Sequence, residues 1–151
     1  MMKILVFSDS HGRVASMERA IRLEQPDQIL HLGDCVPDAQ ALKKFGIPLL
    51  QVAGNCDSGS TEPEIRILDL EGTRIYMTHG HLHGVKTMYQ RAIYAAMGED
   101  AQILLFGHTH QAECYCEQGL WILNPGAAGA WGSYGVIQLT DGRIECCLKS
   151  V

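Results

Sequence analysis

The chain has 151 residues, of which 46% are hydrophobic and 19% charged, with a formal net charge of −5. That length suffices to bury about 70% of the surface an unfolded chain exposes, and the composition is that of a folded domain, so neither disorder nor a staple-dependent miniprotein is implied. The acidic balance excludes an extended surface for nucleic-acid backbone, which needs clustered Lys and Arg, and apolar runs such as residues 4–7 and 103–106 fall far short of the roughly 20 residues that cross a bilayer.

The first residues, Met1, Met2 and Lys3, run directly into an apolar stretch with no secretory core or cleavage site. A cytoplasmic protein with no membrane partner is therefore expected. In that reducing compartment the six cysteines imply no disulfide framework. Cys114 and Cys116, and the adjacent Cys146 and Cys147, lack the spacing of a structural zinc knuckle and read as buried strand thiols. With no repeat, linker or low-complexity tract, residues 1–151 read as one domain.

Residues 3–7 form a nearly continuous apolar run that predicts a strand, ended by Ser8, Asp9, Ser10, His11 and Gly12. A helix follows with Val14, Met17, Ala20 and Ile21 on one face, stopping before Pro26. Residues 28–32 predict a second strand. A short helix is expected over 37–45, with Ala41, Leu42 and Phe45 inward and Gly46 suited to its C-terminal cap. Residues 48–52 predict a third strand, and 65–70 with 74–77 flank a hairpin turn at 71–73. A helix is expected over 86–97 from the spacing of Tyr89, Ala92, Ile93 and Ala96. The remainder is strand-rich (103–106, 112–116, 120–123, 134–139 and 143–148), with a hairpin at Asp141-Gly142. Parallel-type strands in the first half and hairpins in the second predict an α/β domain of two packed sheets covered by helices.

The polar residues fall in clusters directly after apolar strands, where α/β folds place their ligands. The clusters are Asp9-Ser10-His11, Gly33-Asp34, Gly54-Asn55-Cys56-Asp57, His79-Gly80-His81 and Gly107-His108-Thr109-His110. Singly each is a weak signal, but their joint occurrence, always after a strand, points to one site. Residues i and i+2 of an extended chain point the same way, so Asp9 with His11, and His108 with His110, can converge. Carboxylate, amide and imidazole donors suit Mn²⁺, Fe²⁺, Zn²⁺ or Ni²⁺ rather than Ca²⁺.

This series of motifs resembles the calcineurin-like metallophosphoesterase superfamily from Asp9 to about Gly126, and within it the small capless phosphodiesterases related to the retromer subunit Vps29. The resemblance implies a four-layer α-β-β-α sandwich of two mixed sheets flanked by helices. It also implies two divalent ions, Mn²⁺ first with Ni²⁺, Fe²⁺, Zn²⁺ or Co²⁺ as alternatives. One ion would be held by Asp9, His11, Asp34 and His110, and the other by Asp34, Asn55, His79 and His108, with Asp34 bridging. The implied activity is hydrolysis of a small phosphate ester by a hydroxide held between the ions. Without a cap domain to enclose a small monoester, a diester is preferred.

The chain departs from the family where a His commonly follows the metal-binding Asn and protonates the leaving oxygen. Cys56 and Asp57 stand there, which makes Asp57 the substitute acid, with a turn carboxylate as its alternative reading. His81 belongs to the H-G-H pattern and is expected to orient a metal-binding side chain. His83 reads as a solvent-facing loop residue and His31 as a packing residue. In the Asn124-Pro125-Gly126 segment Ala127 replaces a common Ser and no Arg follows, leaving Arg13 or Lys86 as the phosphate-gripping cation. Cys35 and Cys56 read as small packing residues or as thiols open to oxidation beside a metal.

A non-catalytic scaffold of the Vps29 type is the alternative, because fold alone never decides function; metal sequestration is a third. The seven competent donor positions favour the enzyme. A homo-oligomer stays open, with Trp121, Trp131 and Tyr134 as either an exposed patch or packed aromatics.

Overall fold

Residues 4–7 are apolar at every position because both faces of their strand are covered. The computed structural model describes residues 1–151. Its elements in the first half are β1 (Met2–Phe7), α1 (Ala15–Glu24), β2 (Gln28–His31), α2 (Val36–Ala41), β3 (Leu49–Gln51), β4 (Ile65–Leu70) and β5 (Thr73–Thr78). The second half holds α3 (Gln90–Gly98), β6 (Ile103–Leu105), β7 (Glu113–Glu117), β8 (Leu120–Asn124), α4 (Ala128–Trp131), β9 (Ser133–Thr140) and β10 (Arg143–Ser150).

The strands make two five-stranded sheets, in the orders β10-β9-β1-β2-β3 and β4-β5-β6-β8-β7. Both are mixed: β1, β2 and β3 run parallel while β9 and β10 are antiparallel neighbours, and β5, β6 and β8 run parallel between antiparallel β4 and β7. Parallel pairing thus extends into the second half of the chain, where hairpins alone were expected. The reason is that α3 connects β5 to β6 and so forms a third crossover unit, after those through α1 and α2.

Strand alternation sorts the side chains into three apolar layers. Ile4 and Val6 of β1 face inward and pack with Leu30, Leu32, Val52, Ile75, Met77, Ile103, Leu105 and Leu123 between the sheets. Leu5 and Phe7 face outward onto Met17, Ala20 and Ile21 of α1. On the far side Ala92 and Ala96 of α3 pack on Tyr76, Leu104, Phe106 and Ile122. The result is the four-layer α-β-β-α sandwich. Both turns at Glu71-Gly72 and Asp141-Gly142 have positive φ at their two central residues, the conformation that matches strand twist in two-residue hairpins.

Several local expectations are corrected. The helix expected over 37–45 breaks at Ala41 into a 3-10 turn, Leu42–Phe45; this change of pitch turns Ala41 to solvent and buries Ala39 instead. The helix expected from residue 86 begins at Gln90, after a turn. None of the six cysteines is fully buried: Cys116 and Cys147 are exposed because β7 and β10 are edge strands, and Cys56 is exposed in the loop after β3. The three aromatics form no common patch: Tyr134 is buried, Trp121 packs against the layer between the sheets and Trp131 alone is exposed.

Leu30 lies fully buried in the central layer. Leu30→Ala should therefore lower unfolding free energy by about 2–5 kcal/mol. Urea denaturation should show a lower midpoint at an unchanged slope; a loss below about 1 kcal/mol would mean that the layer collapses around the cavity.

Candidate metal centre

The site forms where strands from both sheets end. The loops after β1, β2 and β3 carry Asp9 with His11, Asp34, and Asn55; those after β5 and β6 carry His79, and His108 with His110. Within the first sheet Asp9 N–H donates to Gly33 O (2.9 Å) and His11 N–H to Asp34 O (3.2 Å). Two bonds then tie the sheets together: His108 N–H donates to Asp9 Oδ2 (3.0 Å) and His79 Nδ1–H to Leu32 O (2.9 Å).

The chain turns hard to achieve this. Asp9, His11, Asp34, His108 and His110 all have positive φ, between 46° and 69°. That region is uncommon for residues with a side chain and concentrates at functional sites. The glycines beside them give the room: a Cβ on Gly54 would run into the Asp34 carboxylate, and one on Gly107 into the Ser8 hydroxyl.

Each buried carboxylate has one oxygen secured and one free. Asp9 Oδ2 accepts from Ser8 Oγ (2.6 Å) and His108 N–H, while Oδ1 is buried with no hydrogen-bond partner. Around that Oδ1 stand Nε2 of His110 at 3.2 Å, His11 at 3.6 Å and His79 at 3.8 Å. Asp34 Oδ1 accepts from Cys56 N–H (2.9 Å), and its Oδ2 lies 3.3 Å from His79 Nε2 and 3.9 Å from His11 Nε2. His79 Nε2 is also 3.1 Å from His108 Nδ1. Because Leu32 O takes the Nδ1 proton of His79, its Nε2 can present a lone pair inward. A partnerless buried carboxylate oxygen ringed by imidazoles, which cost free energy to leave uncompensated, fits a divalent cation.

The titrations follow. Burial pushes the Asp34 carboxyl up, but His79 and the Cys56 N–H outweigh it and hold the group well below the usual carboxylate range. Burial pulls the His79 ring down, yet Asp34, Asp9 and the Leu32 carbonyl outweigh it and raise the ring above its ordinary value. Burial, with the charges of His79 and Lys86, lowers His108. Burial and the charge of Asp34 raise the Cys56 thiol.

The other expected residues fare differently. Asn55 is exposed, with its amide nitrogen 3.6 Å from Cys56 Sγ. Asp57 accepts from three backbone N–H groups, Asp34 and Gly54 on Oδ2 (both 2.8 Å) and Val36 on Oδ1 (2.9 Å). Asp57, expected as the substitute acid with a turn carboxylate as its alternative reading, thereby pins the loops after β2 and β3. His81 stacks near His79 and His108, with ring centroids at 5.6 and 6.2 Å, and its Nε2 meets Glu64 Oε2 at 3.0 Å. His83, expected to face solvent, is part-buried and bonds Tyr76 Oη at 2.9 Å. His31 is fully buried, accepting Gly33 N–H on Nδ1 (3.1 Å) and donating from Nε2 to Ser10 Oγ (3.1 Å).

Of the two candidate cations, Lys86 lies near enough to His108 to bear on its proton and lines a cavity of about 430 Å³ with Thr109 and Gln111. Arg13 lines a separate cleft with Arg19 and Val151. Asn124 was expected only as part of a resemblance segment. Its amide nitrogen donates to Gly107 O (3.3 Å) and Thr109 Oγ1 (2.8 Å), so it braces the loop of His108 and His110. Ser8 and Glu64, also bonded to site residues, carry no sequence signal beyond their neighbours.

The sequence matches the family model for the calcineurin-like phosphoesterase superfamily domain over residues 2–142. It is 28% identical over 169 residues to phosphodiesterase YfcE of Escherichia coli K12, spanning 91% of this chain and 88% of YfcE. The fold is similar to the crystal structure of a predicted phosphoesterase from Streptococcus pneumoniae TIGR4, with a TM-score of 0.84, 29% identity, and 99% and 89% of the two chains covered. It is also similar to wild-type Vps29 of Entamoeba histolytica complexed with Zn²⁺, with a TM-score of 0.80, 19% identity and 99% of both chains covered.

The His31 ring is pulled down to about 4 by its burial, which outweighs the charges of Asp9, Asp38 and Asp57. Between the ordinary value of 6.5 and about 4 the unfolded chain binds a proton that the folded one does not. The stability His31 contributes is therefore complete above 6.5 and lost as pH falls through about 4. Its ring resonances should keep their neutral position at pH 5; a midpoint near 6.5 would overturn the assignment.

Proposed function

The chain belongs to the calcineurin-like phosphoesterase superfamily, and on that premise we propose that it is a metal-dependent phosphodiesterase that hydrolyses a small diester in the cytoplasm, acting as a single domain. The observation that carries this reading is the buried, unpartnered Asp9 Oδ1 facing three imidazole nitrogens beside the second free carboxylate, Asp34.

Asp9, His11, Asp34 and His110 would hold one ion and Asp34, Asn55, His79 and His108 a second, with Asp34 common to both. Two such ions supply an activated water at neutral pH and neutralise charge developing on the phosphoryl oxygens. The chain's own residues do the rest. His79, fixed by Leu32 O, and His108, lying 3.1 Å from it, set one face of the centre. His81, held by Glu64, packs over both rings and acts as a positioning residue.

Cavities lined by Lys86 and Thr109, by Cys35 and Cys56, and by Asn55 and His81 border the loops that carry the donors. A diester has two organic arms, and each cavity offers room for one; Lys86 adds a cation for the phosphate on its side. YfcE is named a phosphodiesterase, in keeping with this preference. Since Asp57 already accepts three N–H bonds, protonation of the leaving oxygen falls to water, which favours esters whose alcohols depart readily as anions.

The second reading is an interaction scaffold, favoured by the likeness to Vps29 over nearly the whole chain. That relative binds Zn²⁺ in its crystal, so metal uptake alone does not separate the two, whereas turnover does.

Metal-stripped protein reloaded with Mn²⁺ should hydrolyse bis-p-nitrophenyl phosphate with a higher kcat/KM than p-nitrophenyl phosphate, and chelator should abolish both. Loss of a supporting residue around a metal costs about 10- to 100-fold, so Asp34→Asn, which removes a shared ligand, should cost about a hundred-fold or more. A folded protein inert with Mn²⁺, Ni²⁺, Co²⁺, Zn²⁺ and Fe²⁺ would favour the scaffold, and a faster monoester would reverse the diester preference.

A further inference from the structure

We infer that Cys114 and Cys146 form a redox-active thiol pair, which a low-molecular-weight disulfide converts into a covalent bond between the two sheets. The pair lies outside the metal centre and does not depend on it. Cys114 is on β7 and Cys146 on β10, the edge strands of the two sheets, whose Cα atoms approach within 8 Å of one another. Stacked sheets ordinarily lie about 10 Å apart, so the sandwich is pinched at this edge.

Strand register aims both thiols into the space between the sheets. Cys114 pairs with Leu123 of β8 and Cys146 with Ile137 of β9. Residues opposite one another in such a pair share a face, and Leu123 and Ile137 both belong to the layer between the sheets. Cys114 and Cys146, each part-buried, pack against that layer, near enough for each to bear on the other's proton. The neighbouring thiols differ: Cys147 pairs with Val136 and so faces the outer layer, and Cys116 is exposed.

This edge is also the less secured of the two. On the opposite side, where β3 and β4 are the edges, Arg66 Nε donates to Gln51 O (2.7 Å) and Ala53 N–H to Pro63 O (2.8 Å). No backbone hydrogen bond joins β7 to β10, and side-chain packing holds them together. A bond from Cys114 to Cys146 would tie the sheets there and restrict the unfolded chain.

The chemistry is thiol–disulfide exchange. One cysteine sulfur, as the thiolate, attacks the small disulfide and releases a thiol; the second cysteine sulfur then displaces the other half. The two cysteines each lose a proton and are oxidised together, and the small disulfide is reduced to two thiols. Burial raises both cysteine thiols, so little thiolate is present at neutral pH and the pair answers sustained oxidation rather than a brief pulse. In a reducing compartment such a bond is transient, which suits a sensor of thiol balance rather than a permanent staple.

The test is incubation of the folded, metal-stripped full-length protein with oxidised glutathione, followed by alkylation of the remaining thiols and peptide mapping without reduction. Cys114→Ser, Cys146→Ser, Cys116→Ser and Cys147→Ser are run beside the wild type. An intrachain peptide pair linked through Cys114 and Cys146 is expected in the wild type, Cys116→Ser and Cys147→Ser, and lost in the other two. The oxidised wild type should also unfold at a urea midpoint higher by about 1 M or more, reversed by dithiothreitol. Bonds confined to Cys114 with Cys116 or to Cys146 with Cys147, glutathione adducts alone, a bond formed only between two chains, or no oxidation would each overturn the inference. A linked pair that leaves the urea midpoint unchanged would overturn its role in tying the sheets.

Discussion

Two carboxylates, Asp9 and Asp34, are buried where the two sheets meet, and most of the surrounding structure exists to hold them there. A carboxylate taken out of water costs several kcal/mol unless it is paired and hydrogen-bonded. Here the compensation is deliberately incomplete. Ser8, His108 N–H and Cys56 N–H satisfy one oxygen of each group, and the other oxygen faces imidazole nitrogens at 3.2–3.9 Å. Against the pull of burial, the same two carboxylates raise the His79 ring above its ordinary value. A cation between them would supply the partner that these free oxygens lack.

Holding those groups in place imposes strain. Five donor residues sit in the left-handed region, at a cost of about 1 kcal/mol or more each for residues with a side chain. The packing that tolerates this is the layer between the sheets, where Ile4, Val6, Leu30, Met77 and Leu105 lie on the strands from which the loops spring and Leu32 just beyond β2. Rigid parallel strands fix where each loop begins, and the bonds from Asn124 and Asp57 fix how the loops return.

How much of this was legible in the sequence depended on range. An apolar run followed by Asp, His or Asn can be read locally, so the strand ends and their donors stand out without any knowledge of the fold. Asp57 could not be read this way. Two of its three partners, Asp34 and Val36, belong to the segment after β2, which only folding brings to its carboxylate. The same holds for His83, whose partner Tyr76 lies on β5 beneath it, and for the parallel pairing of β5, β6 and β8, which depends on the path of α3 rather than on any residue pattern in the strands. Ala41 shows a subtler limit: a helical period assigns it inward, and a change to 3-10 pitch one residue later rotates it out.

The distribution of exposure across the donors bears on what the centre is for. A cation here would join the sheets, since Asp9, His11 and Asp34 come from one and His79, His108 and His110 from the other. A purely structural clip would gain from closing around the ion on every side, as four-coordinate structural sites do. This cluster is closed on one side only: the His79 side chain is fully buried, whereas those of His11 and His110 are 43% and 46% exposed. An ion bound there would therefore keep positions facing solvent, which a clip does not need and a hydrolytic centre does.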